Sequence, residues 1–171
     1  VFGQRHLTPW LGALCARYPK LQLDIQQTDT YIDPLQEGTD LLFRIGPLHD
    51  SSMQARILAP HRFQVAASPA YLERRGTPQH PDDLAVHDCL AYKGVAGLQR
   101  WFFRQGQQPW TPYSVKGPIT GNHADTLTQA AEQGLGLVVF PSWLIGESVR
   151  NGTLVPVLGD YQVSNSFEPQ Q

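Results

Sequence analysis

Ala130-Ala-Glu-Gln-Gly134-Leu-Gly136-Leu-Val-Val-Phe140-Pro141 is the stretch that decides the fold. An amphipathic segment meets a glycine, which closes a helix in the left-handed conformation without a Cβ penalty, and an apolar run follows at once. This reads as a helix emptying into a buried strand. The same grammar occurs upstream, where Leu35-Gln-Glu-Gly38-Thr-Asp40 runs into Leu41-Leu-Phe43. Two such units predict an α/β protein with two sheets, and therefore two lobes with a crevice between them.

Working outward, apolar residues at Leu7, Trp10, Leu11, Leu14, Cys15 and Tyr18 predict a helix over His6 to Tyr18, with Pro9 tolerated in its first turn and Pro19 ending it. Leu21 to Ile25 alternates as a half-buried strand would, Asp29 to Glu37 reads as a helix capped near Thr28 or Asp29, and Leu41 to Ile45 is the next strand. Ala55 to Ala59 and Phe63 to Ala67 read as strands joined by a turn at Pro60-His61. Ser68 to Gly76 is a short helix with Pro69 at its first position and Gly76 past its end. A proline-rich connection with one helical turn follows over Thr77 to Leu84, then a short strand at Leu90 to Tyr92. Trp101 to Phe103 and Tyr113 to Val115 form a hairpin. Beyond it come a helix from about His123 to Gln133, a strand at Leu137 to Phe140, a helix from Ser142 to about Val149 and a strand at Leu154 to Leu158. The last dozen residues carry no strong pattern.

Composition excludes several functions. The 171 residues are 41% hydrophobic and 16% charged, enough for one large domain or two small ones. With 13 basic against 15 acidic residues the net charge is −2, and no basic cluster exceeds Glu73-Arg-Arg75, so this chain has no concentrated face for phosphates. No apolar run approaches the roughly 20 residues that span a bilayer, and no signal-peptide pattern opens the chain. Membrane association is not expected. Cys15 and Cys89 form neither a dense framework nor a C-x-x-C pair, and read as reduced thiols in a cytoplasmic protein.

Four constellations imitate chemistry. Gly134-Leu-Gly136 resembles part of a dinucleotide loop, but that loop needs a strand before the glycines and a helix after them, and here the order is reversed. His87-Asp88-Cys89 places three reactive side chains in a row, yet adjacent residues cannot converge on one atom. The histidines at 6, 49, 61, 80, 87 and 123 lack metal-ligand spacing. The tryptophans at 10, 101, 110 and 143 read as core or hairpin packing. No cofactor, metal site or catalytic residue is expected, and the chain does not read as an enzyme. A binding cleft survives. Helix N-termini offer unpaired N–H groups and partial positive charge to carboxylates, with Thr28 and Asp29 opening one candidate helix and Asn122 and His123 another.

Six ordered segments carry a resemblance that covers nearly the whole chain: Phe2-Gly-Gln-Arg-His-Leu7, Ala16-Arg-Tyr-Pro19, Glu37-Gly-Thr-Asp-Leu-Leu-Phe-Arg-Ile-Gly46, Ser68-Pro-Ala-Tyr-Leu72, His87-Asp-Cys-Leu90 and Gly134-Leu-Gly-Leu-Val-Val-Phe-Pro141. In content, order and spacing they resemble the effector-binding domain of LysR-type transcriptional regulators. The resemblance implies a type 2 periplasmic-binding-protein fold: two Rossmann-like lobes with a hinge and an inter-lobe cleft, one lobe from residues 1–64 plus 140–171 and the other from 65–139. Strand crossings near Phe63 to Ala67 and Leu137 to Pro141 would form the hinge.

The resemblance also implies a small organic effector, commonly a carboxylate, held between the lobes and signalling to an N-terminal winged helix-turn-helix. Carried over by position, the ligand-binding residues would be Phe2, Thr28, Asp29, Arg44, Tyr92, Lys93, Asn122, His123 and Ala124. Phe2 and Gly3 stand where some relatives have a serine, so one expected hydrogen bond is missing and the effector's identity does not carry over. The DNA-binding domain and linker helix have no counterpart in the chain, which reads as a fragment of a regulator whose DNA contact belongs to the intact protein. Pairing of regulatory domains into a homodimer or tetramer, through the first helix and a second-lobe helix, would make Arg17 interfacial. The alternative is an extracytoplasmic solute-binding receptor of the same fold.

Overall fold

Successive residues of the 137–140 run face opposite ways, and both directions lead into core. In the computed structural model, which describes residues 1–28, 32–45, 54–94 and 97–165, the chain divides into two units, Val1–Met53 and Gln54–Gln171.

The first unit holds helices α1 (Phe2–His6) and α2 (Thr8–Arg17). The helix predicted over His6 to Tyr18 is therefore interrupted at Leu7, whose N–H closes on the Gly3 carbonyl at 2.9 Å, and restarts with Pro9 in a first turn where its missing N–H costs nothing. The strands predicted at Leu21 to Ile25 and Leu41 to Ile45 carry no ladder, because nothing in the described residues pairs with them. Their apolar side chains lie open: Leu23 is 42% exposed and Leu41 70%. The helix predicted from Asp29 falls partly on residues 29–31, outside the described ones. What is described is one turn over Asp33 to Thr39, where the Asp33 carboxylate accepts the Leu35 N–H at 3.0 Å and Gly38 closes with φ 63°. Asp33, followed by Pro34, caps this turn; the predicted cap at Thr28 or Asp29 would act on residues 29–31, outside the described ones.

The second unit carries the remaining elements. In chain order they are β1 (Phe63–Ala67), α3 (Pro69–Arg75), a 3-10 helix (Pro81–Val86), β2 (Ala91–Gly94), β3 (Gly97–Leu98), β4 (Trp101–Arg104), β5 (Thr111–Tyr113), β6 (Thr120–Gly121), α4 (Ala124–Glu132), β7 (Val138–Pro141), α5 (Ser142–Arg150), β8 (Val155–Val157) and β9 (Gln162–Ser164). Ser68 caps α3 by accepting the Tyr71 N–H, and Gly76 ends it at φ 83°. The predicted strand at Ala55 to Ala59 is not formed, leaving Ile57 79% exposed.

Among the described residues the strands lie in three small sheets, ordered β7-β1-β8, β3-β2-β6 and β5-β4-β9, where two sheets were expected. The extra one arises because the predicted hairpin β4–β5 recruits β9 from the patternless C-terminal stretch, Phe103 pairing with Val163. The two predicted crossings run antiparallel as neighbours, Phe63 opposite Pro141 and Val65 opposite Val139. A parallel bridge from Cys89 to Leu137 ties β2 to the strand that follows α4, and β2 pairs with β6 in parallel on its other side. The unit β6–α4–β7 is thus a parallel crossover straddling β2, and within it the glycine-stopped helix empties into a buried strand as predicted.

Alternation explains why these strands read as unbroken apolar runs. Val65, Ala67, Cys89, Ala91, Leu137 and Val139 enter one core cluster with Tyr71, Trp101 and Phe103. Ala66, Leu90, Val138 and Phe140 enter the other with Leu127, Ala131, Leu144 and Ile145 from α4 and α5. A sheet covered on both faces has no polar side to show. Gly136 and Gly117 permit the close approach: a Cβ on the first would overlap the Asp88 carbonyl and on the second the Cys89 carbonyl.

Candidate functional site

Five of the predicted residues converge at one edge of the parallel pair. In the β2–β6 register Ala91 stands opposite Thr120 and Tyr92 opposite Gly121, so Lys93 and Asn122 are the next residues out on each strand. His123 and Ala124 follow, and α4 begins there. Carboxyl ends of parallel strands beside a helix N-terminus form the usual ligand edge of an α/β sheet, because unpaired N–H groups and side chains project from it together. Tyr92 is half-buried with its ring edge-on to Phe140 at 6.4 Å, which fixes it against the core. Lys93, Asn122 and His123 are exposed. Ala124 packs on the core, and its carbonyl accepts the Thr128 hydroxyl at 2.9 Å.

Of the two residues predicted to open the helix, His123 is the cap. Its Nδ1 accepts the Thr126 N–H at 3.4 Å and lies 3.1 Å from the Thr126 hydroxyl. Thr126 did not figure among the expected site residues. Its signal was its position three residues after the cap, where capping partners fall. Asp125 occupies the first turn, a stabilising charge there that also tempers the turn's pull on anions.

The remaining candidates belong to the first unit. Phe2 is half-buried in α1, its ring 4.9 Å from His6. A Cβ on the neighbouring Gly3 would lie 3.3 Å from the Gln27 side chain, so the start of α1 abuts the segment leading to Thr28. Thr28 is exposed and Arg44 half-buried, both outside any helix or strand, while Asp29 lies outside the described residues.

Two other places are excluded on chemistry. The His87-Asp88-Cys89 row is tied into the framework: the Tyr71 hydroxyl lies 3.1 Å from His87 Nδ1 and accepts the Asp88 N–H at 2.8 Å. Burial pushes the Cys89 thiol up to about 12, the opposite of an activated nucleophile. A cavity of about 100 Å³ beside the hairpin, lined by His80, Arg104, Tyr113 and Tyr161, contains none of the predicted residues and falls below the roughly 300 Å³ of a typical small-molecule site. Among the described residues no three His, Cys, Asp or Glu side chains gather as metal ligands, and no helix is long and apolar enough to cross a membrane.

Exposed Lys93, Asn122 and His123 at the carboxyl end of a parallel strand pair give this α/β chain an edge suited to a small polar ligand. The family model of the LysR substrate binding domain matches residues 1–167, and the chain belongs to that family. Its fold is the periplasmic-binding-protein-like two-lobe fold of these regulatory domains. An uncharacterized HTH-type transcriptional regulator of Haemophilus influenzae is 34% identical over 161 residues, covering 94% of this chain and 56% of that protein. The HTH-type transcriptional regulator CrgA of Neisseria meningitidis serogroup B is 32% identical over 163 residues, 95% of this chain and 54% of the relative. Among solved structures, the full-length Vibrio cholerae virulence activator AphB superposes with a TM-score of 0.81 at 26% identity, covering 95% of this chain and 55% of that one. CrgA superposes at 0.78 with 31% identity, covering 96% and 55%. The chain spans about half the length of the curated relatives it matches. It is an effector-binding domain of the LysR type, and these relatives are transcription regulators. That removes the alternative of an extracytoplasmic solute-binding receptor.

Proposed function

We propose that the chain senses a small organic carboxylate between two lobes, residues 1–64 plus 140–171 and residues 65–139, and reports it to an N-terminal helix-turn-helix in the intact cytoplasmic regulator. The observation that carries this reading is the parallel β2–β6 edge, where Lys93 and His123 stand beside the first turn of α4. A cation and unpaired backbone N–H groups at one edge favour a carboxylate over an amine. Tyr92, Asn122 and Ala124 complete that wall, and Phe2, Thr28, Asp29 and Arg44 are the further effector-binding residues proposed from the family likeness. The effector shifts the lobe or dimer arrangement by as much as its affinity differs between the two states.

A helix face supports self-association into a homodimer or tetramer. Trp10, Leu14 and Tyr18, four residues apart along α2 and its end, are 72%, 37% and 50% exposed, and the Arg17 guanidinium lies 5.6 Å from the centre of the Tyr18 ring. Control of transcription and contact with DNA are proposed for the intact regulator only.

A thermal-shift screen against small aromatic and aliphatic carboxylates tests the effector reading, since a ligand that binds only the folded state raises the midpoint by mass action. The expected result is a saturable rise that disappears in the Thr28→Ala, His123→Ala double variant. A double variant responding like the parent would place the effector elsewhere.

A further inference from the structure

We propose that the cavity beside the β4–β5 hairpin is a second binding site, separate from the β2–β6 edge, for a small planar oxyanion anchored on the Arg104 guanidinium. The site goes beyond the effector reading and does not depend on it. Its volume of about 100 Å³ is too small for an effector of the usual size. At roughly 30 Å³ for each water, it has room for about three waters, or for one molecule of similar bulk such as formate, nitrate, bicarbonate or acetate. The charge of the lining selects the class. Arg104 lines the cavity with His80, Tyr113 and Tyr161, and among the described residues no carboxylate does. Asp82 is a neighbour, but its carboxylate accepts the Tyr113 hydroxyl and lies 3.1 Å from His80 Nδ1, so it is already occupied. Burial and then Asp82 raise Tyr113 above its ordinary value, which keeps that hydroxyl neutral. A cation in the cavity would meet the guanidinium as a like charge, whereas an oxyanion meets it as an acceptor.

The Arg104 side chain is fixed before any ligand arrives. Its Nε donates to the side-chain oxygen of Gln162, its partner in the β4–β9 register, and the guanidinium carbon lies 4.7 Å from the centre of the Trp110 ring. With Nε engaged, the two Nη groups are left, and among the described residues neither has an acceptor. That pair of N–H groups matches two oxygens of one planar anion, a fit that the single ammonium of a lysine lacks. The other walls are held as firmly. The Tyr161 ring stands edge-on to His80 at 5.5 Å and to Phe103 at 6.5 Å, and Tyr113 stands edge-on to Phe103 at 5.4 Å. Among the described residues the Tyr161 hydroxyl has no partner, which leaves it as a further donor in the lining. Side chains already ordered in this way lose little entropy when they capture a ligand.

Proton–nitrogen correlation spectra of the chain, including the arginine Nε–H signals, locate such binding directly. Formate, acetate and nitrate are titrated against chloride at matched ionic strength, with guanidinium as the cation control and benzoate as an anion too large for the cavity. The three oxyanions should move the signals of Arg104, Tyr161 and Gln162 saturably. Chloride, guanidinium and benzoate should leave those signals in place, whatever benzoate does at Asn122 to Thr126, so the cavity and the effector edge are read apart. Arg104→Lys should weaken the oxyanions about tenfold through loss of the two-pronged contact, and Tyr161→Phe about threefold through loss of one hydrogen bond. Tyr161→Phe removes a single oxygen and keeps the test open if Arg104→Lys disturbs the hairpin. No saturable movement, or movement matched by chloride or guanidinium, overturns the proposal. So does full affinity in a folded Arg104→Lys, or in Tyr161→Phe should the lysine variant not fold. An equal response to benzoate overturns it as well, because the ligand would then lie on open surface rather than in the cavity.

Discussion

Gly38 and Gly134 stop their segments in the same way, with φ 63° and 83°, yet the two regions end differently. After Gly134 the chain enters β7, where Val138 and Val139 are 0% and 3% exposed. After Gly38 it enters Leu41 to Ile45, where Leu41 is 70% and Phe43 44% exposed and no strand pairs with it among the described residues. The local chemistry of the stop is equal in the two places; what differs is the neighbour. β7 has β1 beside it and cores on both faces, so each apolar residue finds a partner. A glycine stop therefore tells where a chain turns, and a ladder of hydrogen bonds decides whether the next run is a strand.

The largest expected contrast between the two regions is chemical. Cys15 is exposed on α2 in the first unit and Cys89 is buried in the second. Raising the Cys89 thiol from 9.0 to about 12 cuts its reactive thiolate by about a thousandfold, before the barrier of a closed core is counted. Alkylation with iodoacetamide under native conditions, located by peptide mass spectrometry, should label Cys15 alone, with Cys89 following only in denaturant. Equal labelling of both would mean that the second unit opens as readily as the first.

Next in size is the glycine pair. An alanine at 136 drives a Cβ into the Asp88 carbonyl, where the backbone cannot give without breaking the Leu90 to Leu137 hydrogen bond at 2.8 Å; the cost should be about 3 kcal/mol. An alanine at 38 meets open space and is penalised only by its positive φ, about 1 kcal/mol. Urea midpoints of Gly136→Ala and Gly38→Ala measure both. If the substitution at 38 proves the costlier, the comparison between the two stops is reversed.

Sequence carried most of the second unit and little of the first for the same reason. Ser68-Pro69 and Gly76, the hairpin aromatics and the 137–140 run are signals whose partners lie within the unit, so pattern and outcome agree. Leu21 to Ile25 has the alternation of a strand, but alternation shows only which side would be buried if a neighbour were present. β9 escaped notice because Gln162-Val-Ser164 is a short polar edge with one apolar residue. At the candidate site, helix chemistry marked Asn122 and His123, family likeness added Tyr92, Lys93 and Ala124, and the strand register brings them to one edge. Thr126 carried a signal only through its position three residues after the cap, since threonine inside a helix otherwise reads as a weak helix former. Asp33-Pro34 caps the described turn, while a cap at Thr28 or Asp29 would act on residues 29–31, outside the described ones.

The smallest effect tests whether the second unit's polar interior is as firmly built as its apolar one. Desolvation lowers His87 below the ordinary 6.5, with the Arg75 guanidinium adding to it and Asp83 and Asp88 opposing. Burial lowers His61 in the same direction. The unfolded chain therefore takes up these protons first as pH falls. The associated stability is complete above about pH 6.5 and declines as pH drops from there through the folded values. Urea unfolding at pH 7.5 and 5.5 should show lower stability at 5.5, and His87→Gln should narrow the difference by removing one of the two groups. Because the Tyr71 hydroxyl lies 3.1 Å from His87 Nδ1, while the same hydroxyl accepts the Asp88 N–H at 2.8 Å, protonating that ring nitrogen sets a new N–H against the hydroxyl's own donor. The contact that anchors α3 to the start of β2 is then weakened. A pH difference unchanged in His87→Gln would shift the effect to His61, at the entry to β1, and leave the Tyr71–His87 contact without a role in it.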